Sequence, residues 1–384
     1  MNIGFDAKRA FHNRTGLGNY SRSLIRSLAR YYPENQYFLF NPRPSALFLP
    51  GEECIEEVLP SGLNRYFPSI WRSSRVKKDL LKNRIDLYHG LSHEIPIGIG
   101  ETGIRSVVTI HDLMPEKFPD HYSFIDRRIY QGKNKYACSH ADGIIAISEQ
   151  TKKDIIYYYS IPEERVSVCY QSCNEIFSEK VSENEKQDIR QQYQLPDHYF
   201  LYVGSIIERK NLLNICKAMN LLKKEVPIPL VVIGEGGTYK EQVKDYIREK
   251  VLEEQVIFLS ERASTISSPS FQNAADFPAI YQSATAMIYP SIYEGFGLPV
   301  LESLWSRLPV ITSNISCLPE VGGNAAYYVN PESAEEIALA MKEIYYDKEL
   351  VSAMKEKGWA YAQQFSAQKC AASVMDVYRK IMNV

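Results

Sequence analysis

The residues with most to say about chemistry lie in the run Pro290-Ser-Ile-Tyr-Glu-Gly-Phe-Gly-Leu-Pro-Val-Leu-Glu-Ser303. An apolar strand over 285–289 leads into it, Gly295 and Gly297 turn the chain, and a helical pattern opens over 297–306. In a doubly wound sheet, ligands bind where strands end and helices begin. Backbone N–H groups from Phe296 to Leu298 would face an anion at that helix start. Glu294 precedes the turn, and Glu302 follows about two turns on, closing an E-x7-E pair. A carboxylate among N–H donors can hold sugar hydroxyls, and a second can hold a ribose diol. The plainer alternative makes Glu294 a helix cap and Glu302 part of a solvated face.

Four other stretches place reactive types at strand ends. Gly204 to Asn211 follows the strand expected at 199–203 and precedes a helix, with Arg209 and Lys210 beside the helix start. Positive charge there does not help a helix. Two cations make sense if a diphosphate sits nearby, because they can neutralise departing charge; a solvated basic turn is the alternative. Gly16 and Gly18 lie some nine residues past the first strand and just before a helix. Their backbone can approach a phosphate or a sugar closely, or they can serve a loop with positive φ; a full G-x-G-x-x-G would need glycine where Ser21 stands. His111 ends the strand 105–110, either a ligand contact or a satisfied structural histidine. Gly234-Glu-Gly-Gly237 also follows a strand, which brings a nucleotide close to its backbone and to Glu235. His89 and His93 stand four apart, a metal pair if helical, but Gly90 and the preceding strand end favour a loop, and no metal site is expected.

The elements that must position these residues alternate. Strands are expected at 2–6, 36–40, 85–89, 105–110 and 143–147, with helices at 18–31, 72–83, 124–139 and 149–158. A second series has strands at 199–203, 229–233, 255–259, 285–289 and 308–312, and helices at 211–224, 238–250 and 297–306. Such alternation predicts α/β architecture with parallel, doubly wound sheets, here two Rossmann-like domains. The 384-residue length agrees, since single cores stop growing near roughly 250–300 residues. The polar stretch 171–198 is the expected boundary, giving domains over 1–175 and 176–365. A final helix over 366–381, within 366–384, carries Cys370, Val374, Val377, Tyr378 and Ile381 on one stripe, and the Ser-, Ala- and Pro-rich segment 263–278 reads as a surface loop.

Composition narrows the classes. A net charge of −2 disfavours a nucleic-acid partner, and seven scattered cysteines show no zinc or disulfide framework. The first residues read as a strand rather than a signal peptide, and no apolar run approaches the roughly 18 residues of a membrane span, so a reduced, cytoplasmic protein is expected. Residues 65–84 carry Arg65, Arg72, Arg75, Lys77, Lys78, Lys82 and Arg84 interleaved with Tyr66, Phe67, Ile70 and Trp71. That pattern suits peripheral contact with an anionic membrane on its inner face, or a solvated helix face. No D-x-D, no P-loop and no G-x-S-x-G is present.

Taken together, these strings resemble the GT4 glycosyltransferases, retaining enzymes of the GT-B fold. Besides the E-x7-E run, the resemblance rests on Thr15-Gly-Leu-Gly-Asn-Tyr20, Ile110-His-Asp-Leu113, Val203-Gly-Ser-Ile-Ile-Glu-Arg-Lys-Asn211, Val232-Ile-Gly-Glu-Gly236 and Leu318-Pro-Glu-Val321. It implies two domains facing across a cleft, the first binding acceptor and completed by the C-terminal helix, the second binding a nucleotide sugar. It implies that Glu294 and His111 contact the donor sugar, that Glu302 holds the ribose, that Arg209 and Lys210 hold the diphosphate, and that Leu259 and Ser260 help cradle the base. Three positions depart from the family: Ser205 replaces a common cation, and Ser260 and Arg307 stand where many members have glycine. The strings look most like mannosyltransferases using GDP-mannose, with no metal or other cofactor. The expected reaction moves a hexose to a hydroxyl of a glycan or lipid-linked acceptor in surface polysaccharide biosynthesis, with retention by front-face attack. A UDP-hexose donor is the rival. A sugar-nucleotide 2-epimerase, a dinucleotide-dependent oxidoreductase and a non-catalytic sugar-binding module are the readings from other classes.

Overall fold

The computed structural model describes residues 1–383. The chain divides into two compact units, one of Met1–Cys173 with Phe365 onward, the other of Asn174–Gln364.

In the N-terminal unit seven parallel strands run in the order β3-β2-β1-β4-β5-β6-β7. They are β1 (Asn2–Asp6), β2 (Gln36–Phe40), β3 (Ile55–Val58), β4 (Leu87–Gly90), β5 (Arg105–Ile110), β6 (Gly143–Ala146) and β7 (Val166–Val168). The central strands are apolar throughout because helices cover both faces; Leu87, Val107, Val108, Ile144 and Ile145 have no exposed surface. The last helix, Ala367–Met382, packs on the helix Gly16–Tyr31 and on β5 and β6. Its Tyr378 hydroxyl meets His89 Nδ1 at 2.6 Å.

In the C-terminal unit six parallel strands run β10-β9-β8-β11-β12-β13. They are β8 (Phe200–Val203), β9 (Leu230–Ile233), β10 (Val256–Phe258), β11 (Ala286–Tyr289), β12 (Val310–Ser313) and β13 (Tyr327–Val329). Each sheet reverses its strand order once, between β1 and β4 in the first and between β8 and β11 in the second. These switch points open crevices beyond the strand ends, and ligands bind there in open α/β sheets.

Several expectations need correction. β3, β7 and β13 do not stand out in the sequence because all three are edge strands, half-exposed or polar where a buried strand would be apolar. The helix expected over 72–83 begins as a π-turn, Trp71–Arg75, before the α-helical Lys77–Lys82. The segment 263–278 is not a loop: it folds into Ala263–Ile266, Pro269–Gln272 and the start of Phe277–Ser283. Thr265 there donates to the Leu259 carbonyl at 2.7 Å, Ser268 caps the second helix, and Phe271 packs against Tyr193 and Phe277. The helix expected from residue 18 begins at Gly16, so both glycines of that motif lie in its first turn.

Candidate functional site

At the C-terminal unit's switch point, β8 leads into Gly204 and the turn Glu208–Lys210, and β11 leads into Pro290 and Glu294. Asn211, at φ 64°, fixes the turn by donating through its amide to the Pro290 and Pro331 carbonyls at 3.1 and 2.6 Å. This delivers Arg209 and Lys210 to Glu294. The Arg209 guanidinium lies 2.8 Å from Glu294 Oε1, and the Lys210 ammonium lies 3.7 Å from the same oxygen. Tyr289 and Ser291 hydroxyls donate to Oε1 at 2.8 and 2.9 Å. Among the described residues none donates a hydrogen bond to Oε2. Arg209 also donates to the Tyr293 carbonyl, and Lys210 donates to the Tyr289 hydroxyl at 2.8 Å.

The three charged side chains are 12–14% exposed, so this is a nearly dry cluster with two cations to one carboxylate. Burial alone would raise the Glu294 pKa, but Lys210 and Arg209 outweigh it and hold the carboxyl below its ordinary value. Glu294 is therefore an ion-paired anion and not a helix cap. The helix Leu298–Trp305 starts instead from Gly297, at φ 107°, where a Cβ would come 2.8 Å from Leu318 Cδ2. The chain from Gly295 to Gly297 is buried, and the Glu294 N–H is held by the Ser316 hydroxyl at 3.1 Å.

Glu302, on that helix, is not on a solvated face. It is partly buried and accepts from the Tyr281 hydroxyl at 2.8 Å. Burial raises its pKa to about 7, with Tyr281 and Lys210 pulling the other way. It is a carboxyl that can be charged or neutral near neutral pH.

The glycines beside this cluster serve the sheet. Gly204 has φ 153° and Gly234 has φ 156°, and a Cβ on Gly234 would lie 1.9 Å from the Gly204 carbonyl oxygen. The Gly234 N–H donates to Ser260 Oγ at 3.0 Å, so the family departure at Ser260 fills a backbone hydrogen-bonding place. Leu259 is buried, and Glu235 is exposed and paired to Lys240 at 2.9 Å.

The N-terminal unit holds the other expected residues. His111 follows β5, buried, with Nε2 2.9 Å from the Leu91 carbonyl and its ring edge-on to Tyr20 at 4.7 Å. Burial, and then His93, push its pKa down to about 3, so it is a neutral imidazole. His89 does not pair with His93 as a metal ligand would. It bridges the Tyr378 and Thr109 hydroxyls at 2.6 and 2.8 Å. Neither Gly16 nor Gly18 has positive φ. Gly18 is small because a Cβ would fall 1.9 Å from the Asn13 carbonyl oxygen, whereas Gly16 faces open space.

Sequence reasoning did not bring Tyr289, Ser291 or Tyr281 to the carboxylates, nor Asp6 and Arg72 to each other. Asp6 ends β1 and accepts from Arg72 Nε at 2.9 Å on both oxygens. A signal for Asp6 existed: it stands at a strand end, with Lys8 and Arg9 two and three positions on.

Residues 185–360 match the family model of the glycosyl transferases group 1, and residues 14–174 match that of glycosyltransferase family 4. The O-antigen chain mannosyltransferase B of Escherichia coli is 26% identical over 395 residues, covering 99% of this chain and 100% of that protein. The O-antigen chain mannosyltransferase RfbU of Salmonella typhimurium is 29% identical over 280 residues, covering 73% and 70% of the two chains. The crystal structure of Anabaena HepE in complex with UDP superposes with a TM-score of 0.74 at 16% identity, covering 99% and 100%.

Proposed function

The chain belongs to the glycosyltransferases, a family 4 domain followed by a group 1 domain in the GT-B fold, and we propose that it transfers mannose from GDP-mannose to a hydroxyl of a glycan or lipid-linked acceptor during surface polysaccharide synthesis, with retention at the anomeric carbon. The observation that carries this reading is the Glu294 carboxylate, pinned through Oε1 by Arg209, Tyr289 and Ser291. Its other oxygen is left to accept from a sugar hydroxyl. Arg209 and Lys210 bring two cations to that carboxylate, and positive charge at this strand end favours a diphosphate beside it.

In this reading Arg209 and Lys210 stabilise the leaving diphosphate in a site where water is nearly excluded, so their charge counts for far more than at a surface. Glu302, once ionised, accepts from both ribose hydroxyls, and Leu259, Ser260, Gly234 and Glu235 lie at the strand ends toward the base. Glu294 grips the hexose while the anomeric bond loosens into an oxocarbenium-like state. The acceptor hydroxyl attacks from the face that the diphosphate leaves and passes its proton to a phosphate oxygen. No dedicated base, metal or other cofactor has a part in this route. His111, neutral across physiological pH, contributes a hydrogen bond rather than a charge. The mannosyl assignment draws on the O-antigen mannosyltransferases to which the chain is similar.

The N-terminal unit is the proposed acceptor domain, and its segment 65–84 the proposed contact with an anionic membrane from the cytoplasmic side. Leu63, Tyr66, Phe67 and Ile70 are 75, 78, 52 and 47% exposed, while Trp71 anchors the segment in the core. Arg72 turns inward to Asp6 and Lys77 pairs with Glu101 at 3.7 Å, so the lipid-facing cations are the exposed Arg65, Arg75, Lys78, Lys82 and Arg84. No helix among the described residues is long and apolar enough to cross a membrane. Co-flotation with vesicles containing phosphatidylglycerol, lost in Arg65→Glu/Tyr66→Ser, supports the contact; equal recovery with neutral vesicles opposes it.

Calorimetric titration with GDP and UDP side by side tests the donor. GDP is expected to bind at least about tenfold more tightly, a difference near 1.4 kcal/mol. The reverse order would replace the donor with a UDP-hexose, and turnover of donor to an epimer without acceptor would replace the reaction.

A further inference from the structure

The N-terminal unit's switch point carries a second ionic cluster that the donor site does not use. Asp6, at the end of β1, is 3% exposed and holds Arg72 through both oxygens, the shortest contact being 2.5 Å. Arg72 also reaches Glu94, beyond the end of β4, at 2.8 Å, and Lys133 meets the other oxygen of Glu94 at 3.2 Å. Those pairs balance: two carboxylates, two cations. Lys8 and Arg9 stand on the chain just after Asp6, half-buried, and among the described residues neither has a carboxylate partner. Counted against Asp6 and Glu94 alone, the cluster therefore carries two positive charges in excess; Asp112, which acts on His111 alongside Arg9, is the further carboxylate nearby. Lys8 registers the excess: burial, and then repulsion by Arg72, lower its pKa.

Two neutral groups on the loop after β4, the loop that carries Glu94, also lack a counterpart. Ser92 Oγ and His93 Nδ1 are buried, with no hydrogen-bond partner. His93 Nε2 accepts the His111 N–H at 3.4 Å, and burial lowers the ring's pKa to about 4. A neutral imidazole has one proton, so with Nε2 accepting, that proton sits on Nδ1. Nδ1 is thus a donor with no acceptor in full hydrogen-bonding geometry, and the Asn134 side chain, which interacts with the ring and raises its pKa, is its one polar neighbour of note. His93 is also held at φ 61°, a strained conformation for this residue type. Buried polar groups in folded proteins are normally satisfied, and of the four buried side-chain atoms left without a partner among the described residues two, Ser92 Oγ and His93 Nδ1, lie together here, with Arg9 close enough to lower the His93 pKa.

We propose that Lys8, Arg9, Ser92 and His93 form an anion site at the β1/β4 crevice that holds a phosphoryl group of the acceptor substrate. A dianionic phosphoryl group matches the excess charge, and its oxygens accept from Ser92 Oγ and His93 Nδ1 while the Arg9 guanidinium pairs with it in the manner of a charge-assisted fork. The Asp6–Arg72–Glu94 pairs act as the frame that fixes this crevice. The assignment rests on the glycosyltransferase reading for the word acceptor; the anion site itself does not.

The experiment uses the full chain and two separate titrations, one with inorganic phosphate and pyrophosphate, followed by calorimetry and phosphorus NMR, the other with GDP. Wild-type protein is expected to bind pyrophosphate at a site that persists when GDP is saturating. Arg9→Gln and His93→Gln are expected to weaken that second site by about tenfold or more and to leave the GDP affinity within about twofold. Circular dichroism and unchanged GDP binding show that the variants are folded. Loss of pyrophosphate binding when GDP saturates, or weakened GDP binding in Arg9→Gln, would assign these cations to the donor's diphosphate and overturn the acceptor assignment. Undiminished pyrophosphate binding in both variants overturns the site. Failure of wild type to bind any nucleoside diphosphate, with the second site intact, counts against the donor reading and not against this one.

Discussion

The two switch points solve the same problem with opposite charge arrangements. At β8/β11 one carboxylate, Glu294, is shared by two cations, and every charged partner sits on a single oxygen. At β1/β4 two carboxylates, Asp6 and Glu94, share Arg72, while Lys8 and Arg9 stand apart. In the proposed reading the first arrangement poises an acid to grip a neutral hydroxyl beside a cationic pair, and the second uses acids only as a frame and leaves cations for a ligand. On that reading the carboxylate offered to a ligand differs from the framing one not in burial, which they share, but in whether an oxygen is left over: both oxygens of Asp6 are taken by Arg72. The sharpest way to break this contrast is Glu294→Gln. It keeps the shape and the Tyr289 and Ser291 contacts but leaves two nearly buried cations without an anion. We expect transfer to fall by about 10³-fold or more and stability by about 1–3 kcal/mol, read from single-turnover transfer and a urea midpoint. A rate within tenfold of wild type would remove Glu294 from the reaction.

The units also differ in how they should answer to pH. In the N-terminal unit His89 and His111 are pushed from 6.5 down to about 3 by burial. Below pH 6.5 the unfolded chain binds protons that these folded imidazoles refuse, so stability is full above that value and is lost progressively toward pH 3. Each contributes on the order of 2–4 kcal/mol of acid lability. His89→Gln should flatten the stability slope between pH 6.5 and 4 by about one proton. In the C-terminal unit Glu302 runs the other way. Its folded pKa is raised from 4.5 to about 7, so the folded state holds the extra proton and stability falls as pH rises from 4.5 through 7. Glu302→Gln should be more stable than wild type at pH 8, by about 1–2 kcal/mol, and no different at pH 4. Because the ionised carboxylate accepts from two ribose hydroxyls more strongly than the protonated acid, wild-type GDP affinity should rise between pH 6 and 8 and the variant's should not. Parallel pH slopes for both variants would erase the distinction between the units.

How much of this was legible in the sequence follows from range. The alternation of strands and helices was, because buried parallel strands are apolar end to end and the periods change sharply at their ends. Glu294 and the Arg209-Lys210 pair were visible because strand-end logic and a local string point to each. Their meeting was not, since 84 residues separate Arg209 from the backbone it holds at Tyr293. Arg72 misled for the same reason. It sits in a basic, aromatic stretch that reads as surface, yet its guanidinium crosses 66 positions to Asp6, and Trp71 beside it is fully buried with its indole N–H on Asp79 at 2.6 Å. The edge strands failed on pattern: Ile55-Glu-Glu-Val58 has no apolar run, because one flank of that strand has no neighbour to bury it. For Gly16 and Gly18 the sequence leaves ligand approach and a positive-φ loop open; the structure shows neither at positive φ, Gly18 packed so that a Cβ would meet the Asn13 carbonyl and Gly16 facing open space.

The smallest expected effect concerns backbone rather than charge. His93 and Arg307 are both non-glycine residues in the left-handed region, at φ 61° and 53°. Arg307 stands where many family members have glycine, and the structure supplies a compensation: its guanidinium lies 4.6 Å above the Trp359 ring and 3.5 Å from Glu356. Left-handed φ costs a side-chain-bearing residue about 1 kcal/mol, the exposed cation–π contact returns about 0.5–1 kcal/mol, and the exposed ion pair little. Arg307→Gly removes both the strain and the stacking and should leave stability within about 1 kcal/mol of wild type. Arg307→Ala keeps the strain and loses the stacking, so it should fall below Arg307→Gly by about 1 kcal/mol. GDP and pyrophosphate binding should be unchanged in both. At His93 the same exchange for glycine also relieves strain but deletes the Nδ1 donor, so it should weaken pyrophosphate binding while stability holds or rises. If His93→Gly and Arg307→Gly alter binding alike, the left-handed residue at β4 is framework, as Arg307 is, and the contrast between the two switch points reduces to the ionic pairs alone.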